Sequence, residues 1–235
     1  MIVKKNKIEF NVLKNSWWEK SFNTWEADFF NLLDDKLNNQ MIFVDIGSWF
    51  GPVTLYASKI VKHVYSIEAN PEIFKLLEEN ILKNVDVFSK INIYNYCLWK
   101  ENNKEIKMSS KDTAPWDTST VSAFYSDNEK NNIVSKTIIW DTFIKQNNIN
   151  KIDFIKMDIE GSEKIVLPTM KDYLIEYKPS LILSIHSNLL NKYDYEIICD
   201  CLSHYNYIYD YRNKKEINLS ELDQEKNIDL LCENK

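Results

Sequence analysis

Val44-Asp45-Ile46-Gly47-Ser48-Trp49-Phe50-Gly51 joins an apolar run, Met41–Ile46, to a helical pattern over Gly51–Val61. A buried strand that passes through a glycine-bearing turn straight into a helix begins a βαβ unit. In an open parallel sheet such a turn offers backbone N–H groups and a helix N-terminus to a ligand beyond the strand ends. The chain contains three glycines, Gly47, Gly51 and Gly161, and the last lies in a second acidic motif, Lys156-Met157-Asp158-Ile159-Glu160-Gly161. Glycine belongs where backbone must turn through positive φ or admit a close neighbour. A chain that builds its other turns from Asn, Asp, Ser and Pro has kept glycine for these two loops.

Outward from this stretch the alternation continues. His63–Glu68 reads as strand, Pro71–Leu82 as helix with Asn70 as its N-cap, and Ile91–Tyr96 as strand. Farther on come Ile133–Ile138 strand, Trp140–Gln146 helix, Ile152–Asp158 strand, Ser162–Leu174 helical turns, Ser180–His186 strand and Tyr193–Ser203 helix. Tyr205–Tyr209 and Ile228–Cys232 are expected to close the sheet as an antiparallel pair around the polar stretch Arg212–Lys226. The pattern predicts one α/β domain over residues 41–235. Residues 100–135 break the rhythm and read as a substrate loop, with Trp116, Phe124 and Tyr125 as its apolar content. Ahead of the domain, residues 16–40 carry Trp17, Trp18, Phe22, Trp25, Phe29, Phe30, Leu32 and Leu33 at near-helical spacing. One or two amphipathic helices packing on the core are predicted there. The same face could instead cap a substrate site or meet a second copy in a homodimer.

Composition excludes several classes. No apolar run reaches the roughly 18 to 20 residues of a membrane span. A net charge of −6 and a single arginine, Arg212, argue against a surface that follows nucleic-acid phosphates. No apolar stretch follows the basic residues of Met1–Lys7, so a cytoplasmic location is expected. The four cysteines form no C-x-x-C pair and read as reduced, buried thiols.

The first motif is D-x-G-x-x-x-G rather than the dinucleotide fingerprint G-x-G-x-x-G. A carboxylate two residues before the first glycine would repel a pyrophosphate and attract an ammonium or sulfonium group. Glu68 stands 21 residues beyond Gly47, the spacing at which an acid accepts hydrogen bonds from ribose hydroxyls. An adenosine-containing ligand is therefore expected, although Asp45 could serve only as a turn carboxylate and Glu68 as a solvated strand end.

On Val44-Asp45-Ile46-Gly47, Ser66-Ile67-Glu68-Ala69-Asn70-Pro71 and Ile152-Asp153-Phe154-Ile155-Lys156-Met157-Asp158-Ile159-Glu160-Gly161-Ser162-Glu163, the chain resembles S-adenosylmethionine-dependent methyltransferases of the FkbM family, over roughly residues 40–190. The resemblance implies a Rossmann-like class I methyltransferase fold, a seven-stranded, mostly parallel sheet with an antiparallel last strand and helices on both faces. It implies S-adenosylmethionine as cofactor, with Asp45 and Gly47 at its methionine part, Glu68 at the ribose, residues around Cys97 and Leu98 at the adenine, and Ser48, Gly51 and Ala69 as further cofactor-binding residues. The implied acceptor is a small molecule or glycan bearing a hydroxyl, such as a sugar, nucleotide-sugar or glycan precursor.

Asp158, Glu160 and His186 end two strands and would converge if those strands are neighbours. Methyl transfer to oxygen requires the hydroxyl opposite the sulfonium and a group to remove its proton. Glu160 or His186 could be that base, with Asp158 orienting it and Lys156 balancing charge. Alternatively Asp158, Glu160 and His186 bind Mg²⁺ or Mn²⁺, which lowers the hydroxyl's pKa. Glu163 reads as serving the helix start. A nicotinamide-dependent oxidoreductase and a non-catalytic adenosyl-ligand module are the competing classes.

Overall fold

A computed structural model describes residues 1–110, 121–122, 132–224 and 227–234. The chain opens with a hairpin, β1 (Ile2–Lys5) and β2 (Ile8–Asn11), followed by α1 (Ser16–Lys20) and α2 (Ala27–Lys36). Next come β3 (Ile42–Ile46), α3 (Pro52–Ser58), β4 (His63–Ile67), α4 (Pro71–Leu82), β5 (Ile91–Tyr94) and β6 (Cys97–Leu98). β7 (Glu105–Ser110), β8 (Val121–Ser122) and β9 (Asn132–Ile138) precede α5 (Trp140–Gln146), β10 (Phe154–Met157) and α6 (Glu163–Tyr177). The chain ends through β11 (Ser180–Ile185), α7 (Lys192–Leu202), β12 (Tyr207–Asp210), β13 (Lys215–Glu216) and β14 (Ile228–Glu233).

The main sheet has the order β13-β12-β14-β11-β10-β3-β4-β5. β5, β4, β3, β10 and β11 are parallel. β14 runs antiparallel between β11 and β12. This is the expected seven-stranded sheet with its last strand antiparallel, extended at one edge by the two residues of β13. Strands buried on both faces lose the polar alternation of a one-sided sheet. Val44, Ile46, Ile155 and Met157 accordingly face the side that holds Phe143, Leu167 and Ile198. Phe43, Phe154 and Ile182 face Leu55, Leu77 and the aromatic residues of the N-terminal segment.

Two sequence readings are corrected. Ile133–Ile138 does not join the main sheet: β9 pairs with β6 and β7 in a separate four-stranded sheet. Its burial alternates, with Ile133, Ser135 and Thr137 buried and Val134 and Lys136 exposed, which is the signature of a sheet with one solvated face. The supposed loop over residues 100–135 is thereby shortened, since Glu105–Ser110 is strand. Trp116, Phe124 and Tyr125 lie outside the described residues.

The N-terminal hairpin escaped the sequence reading because its inward residues are Val3, Lys5 and Phe10, and a lysine does not announce a core position. Lys5 is 3% exposed, and its ammonium donates to the carbonyls of Phe22, Asn23 and Trp25, each within 3.0 Å. It also lies over the rings of Phe22 and Phe30. Burial lowers its pKa, and Glu26 opposes the shift. The ammonium thus closes the otherwise unpaired carbonyls between α1 and α2, and Trp18, Phe22, Phe30 and Leu33 pack around it in the cluster that contains Phe50 and Tyr56. Full burial of each such side chain contributes roughly 2 kcal/mol. Among the described residues no helix is long and apolar enough to cross a membrane.

Replacing Lys5 with Met would leave three carbonyls between α1 and α2, that of Phe22 buried, without their donor. Urea denaturation of Lys5→Met should show a loss of about 3 kcal/mol. A loss below about 0.5 kcal/mol would mean that the ammonium contributes nothing beyond its stem.

Candidate active site

A cavity of about 340 Å³ opens at the carboxyl ends of β3, β4, β10 and β11, where a doubly wound sheet places its ligands. Gly47 sits at its floor with φ +77°, and a Cβ there would lie 1.9 Å from the carbonyl oxygen of Asp158. No side chain fits in that gap. The Gly47 N–H donates to Ile67 O at 2.9 Å, and Asp158 N–H donates to Ile46 O at 3.1 Å. The two acidic motifs are therefore in backbone contact, one on each of two adjacent strands.

The register that pairs β3 with β10 sets Asp45 opposite Lys156. Asp45 is fully buried, accepts from Thr54 Oγ1 at 2.7 Å, and lies 3.4 Å from Lys156 Nζ. Thr54 Oγ1 also meets Ser66 Oγ at 2.9 Å. Lys156 Nζ donates to Gly47 O at 2.7 Å and lies 3.8 Å from Asp158. Burial opposes the charge on Lys156, but Asp45 and Asp158 outweigh it and raise its pKa. Asp45 and Gly51 lie beneath the cavity rather than along its wall, whereas Gly47, Ser48, Glu68, Ala69, Cys97, Leu98, Lys156, Asp158, Glu160 and His186 all line it. Ser48 Oγ is buried and has no hydrogen-bond partner among the described residues, so a donor–acceptor group waits at the wall.

Glu68 is fixed by backbone at both oxygens: Trp49 N–H donates to Oε2 and Asn70 N–H to Oε1, each at 2.8 Å. Trp49 reaches this geometry with φ +54°, a left-handed conformation that costs a non-glycine residue about 1 kcal/mol. Burial pushes the Glu68 carboxyl up to about 7, against the two N–H groups and Lys156. Beside it, Ala69, Cys97, Leu98 and Met108 form an apolar side of the cavity. Burial pushes the Cys97 thiol up to about 12, so it stays protonated and acts as a small apolar group. Met108 was missed because its strand was read as loop.

At the opposite end, His186 Nε2 lies 3.5 Å from Asp158 Oδ1 and 3.6 Å from Glu160 Oε1, and Nδ1 lies 3.5 Å from Glu163 Oε1. Burial disfavours the imidazolium, but the nearby carboxylates of Glu163, Asp158 and Glu160 prevail, pushing its pKa up to about 10. Glu160 (φ 52°) and Gly161 (φ +87°) make the turn that aims Glu160 inward, and a Cβ on Gly161 would meet Leu189 at 2.7 Å. Glu163 is fully buried; it accepts from Ile159 N–H at 3.0 Å, so it serves the turn before its helix as well as His186. Trp17, Trp25 and Glu26 also reach the cavity; the sequence pattern reads the tryptophans as helix packing, with a cap over a substrate site or a dimer contact as its alternatives.

The sequence pattern of the methyltransferase FkbM domain matches residues 42–209. A methyltransferase FkbM from Methylobacillus flagellatus KT shares 19% identity at a TM-score of 0.55, covering 84% of this chain and 44% of that one. The chain thus spans less than half of that protein, and the likeness is one of fold. A TehB-like SAM-dependent methyltransferase from Corynebacterium glutamicum has 9% identity and a TM-score of 0.49, with 88% of this chain and 87% of that one covered. Precorrin 8w decarboxylase from Methanobacterium thermoautotrophicum has 15% identity and a TM-score of 0.48, with 90% of each chain covered. No curated protein matches the chain.

Lys156→Met would leave Asp45 as a buried, unpaired carboxylate, which costs about 3–5 kcal/mol. The double variant Asp45→Asn/Lys156→Met should recover at least about half of that loss. Chemical denaturation of the two single variants and the double variant checks this, and purely additive losses would show that the pair is not coupled.

Proposed function

The chain belongs to the FkbM family of methyltransferases, and from that premise we propose that the cavity binds S-adenosylmethionine and passes its methyl group to a hydroxyl of a sugar, nucleotide-sugar or glycan precursor. The observation that supports this most is the placing of Glu68, a carboxylate locked by two backbone N–H groups between an apolar slot and a cluster of proton-handling residues. In this reading the adenine lies among Ala69, Cys97, Leu98 and Met108, the ribose hydroxyls donate to Glu68, and the methionine part rests on Gly47 and Ser48. Asp45 acts from beneath: with Lys156 it holds the Gly47 loop in place. The sulfonium methyl then faces Asp158, Glu160 and His186.

At neutral pH the imidazolium of His186 has no lone pair to give, so it orients Asp158 and Glu160 and does not itself take the proton. Glu160 is the general base: its carboxylate accepts the hydroxyl proton as oxygen attacks the methyl carbon from the side opposite sulfur. A second reading is favoured by the closeness of the same three residues, whose ligand atoms lie within 4.8 Å of one another. Asp158, Glu160 and the His186 imidazole would then hold Mg²⁺ or Mn²⁺, with Glu163 accepting from Nδ1–H. Such an ion would lower the pKa of the acceptor hydroxyl.

Calorimetric titration with S-adenosylhomocysteine should give an affinity that rises with pH through about 7 and then levels, because ribose hydroxyls need the Glu68 carboxylate and its protonated form predominates below that pH. Glu68→Gln should bind about tenfold more weakly with no such pH dependence. Tight binding of NAD in place of the adenosyl ligand would contradict the proposal. Glu160→Gln should lower the rate of labelled methyl transfer to a glycoside panel by about a hundredfold or more while leaving S-adenosylhomocysteine affinity in place. EDTA should leave the wild-type rate unchanged; abolition by EDTA and recovery with Mn²⁺ would select the second reading.

A further inference from the structure

The wall of the cavity that faces away from the apolar slot comes from the N-terminal segment. Trp17, Trp25 and Glu26 line it together with Trp49, Asp158 and Glu160. The three indoles meet one another, with Trp17 4.8 Å from Trp49, Trp17 5.2 Å from Trp25, and Trp25 6.2 Å from Trp49 between ring centroids. Glu26 follows directly, in the left-handed conformation at φ 49°, ψ 45°. A bulky residue holds that conformation only when its surroundings enforce it.

Arg212, the chain's single arginine, holds the Glu26 side chain. Its Nη2 donates to Glu26 Oε1 at 2.7 Å, and its Nε contacts Asp229 Oδ2. Asp229 in turn accepts from Ser184 Oγ at 2.5 Å, two residues before His186 on the same run of chain. Glu26 is thus tied to the strand ends that carry the reacting group, although it lies far from them in sequence. Among the described residues that line the cavity, the carboxylates are Glu26, Glu68, Asp158 and Glu160 and the cations are Lys156 and His186. Lys156 is committed to Gly47 O and its neighbouring aspartates, and His186 sits among carboxylates. Among the described residues the acceptor end therefore presents acid and indole faces, and no uncommitted cation.

We infer that Trp25 and Glu26 are specificity-determining residues of the acceptor subsite, with Arg212 positioning Glu26, and that this subsite takes a neutral or amino-bearing hydroxylated ring in preference to one carrying a carboxylate. Hydroxyl or ammonium hydrogens donate to Glu26, and the ring's apolar face or its ammonium lies against Trp25. An acidic ring meets like charge at Glu26 and Glu160. The inference rests on the proposed methyl-transfer reading of the cavity.

The test uses the full chain saturated with S-adenosylhomocysteine, titrated with glucose, glucosamine and glucuronate and followed by ligand-observed NMR and tryptophan fluorescence. Glucose and glucosamine should bind at least about tenfold more tightly than glucuronate. Glu26→Gln should weaken glucosamine by about tenfold and narrow the gap to glucuronate, with S-adenosylhomocysteine affinity held within about twofold. Should that variant fail to fold, Arg212→Lys, which keeps the charge but loses the fork, should shift the same ratios in the same direction. Equal binding of all three rings, no binding of any, or ratios unchanged by both variants would overturn the inference alone. Failure of the wild-type chain to bind S-adenosylhomocysteine would instead overturn the methyl-transfer reading, and this inference with it.

Discussion

The contact between Gly47 and the carbonyl of Asp158 is the constraint on which the remainder of the site depends. It brings the loop after β3 against the loop after β10 at a separation that excludes a Cβ. The ammonium of Lys156 then joins both loops, donating to Gly47 O and balancing Asp45 and Asp158. Breaking such a buried arrangement exposes each charge to the low-dielectric interior, so the loops keep one relative position. That position decides how far Glu68 lies from the group formed by Asp158, Glu160 and His186.

At this joint the backbone takes unfavourable geometry at two non-glycine positions. Trp49 and Glu160, one in each loop, are both in the left-handed region, and each aims a functional group: the Trp49 N–H at Glu68, and the Glu160 side chain into the cavity. Strain of this kind persists only where the surrounding contacts overdetermine it, and here it prearranges groups that would otherwise have to be ordered on binding. The two titratable groups with the largest consequences are displaced in ways that suit separate tasks. Burial brings Glu68 to about 7, at the edge of ionisation, while the carboxylates around His186 hold it as a cation.

Much of this was legible in the sequence because glycine is scarce. The three glycines, the acid spaced beyond Gly47, and the alternation of apolar runs with helical patterns are local features, and local features survive in a one-dimensional reading. The register of β3 with β10, which makes Asp45 the buried partner of Lys156, is not local and could not be read. Nor could Glu26, whose place depends on an arginine near the far end of the chain, or Met108, whose strand belongs to a small sheet that the alternation of helices and strands did not suggest. Lys5 is the plainest case: a lysine at an inward strand position reads as a surface residue until the carbonyls that receive it are known.

The measurement that bears most directly on this account is a crystal structure of the chain grown with S-adenosylhomocysteine. The account predicts the ribose hydroxyls within hydrogen-bond distance of Glu68, the adenine among Cys97, Leu98 and Met108, and the sulfur directed toward Asp158, Glu160 and His186. A ligand bound elsewhere, or one whose sulfur points away from those three residues, would contradict it.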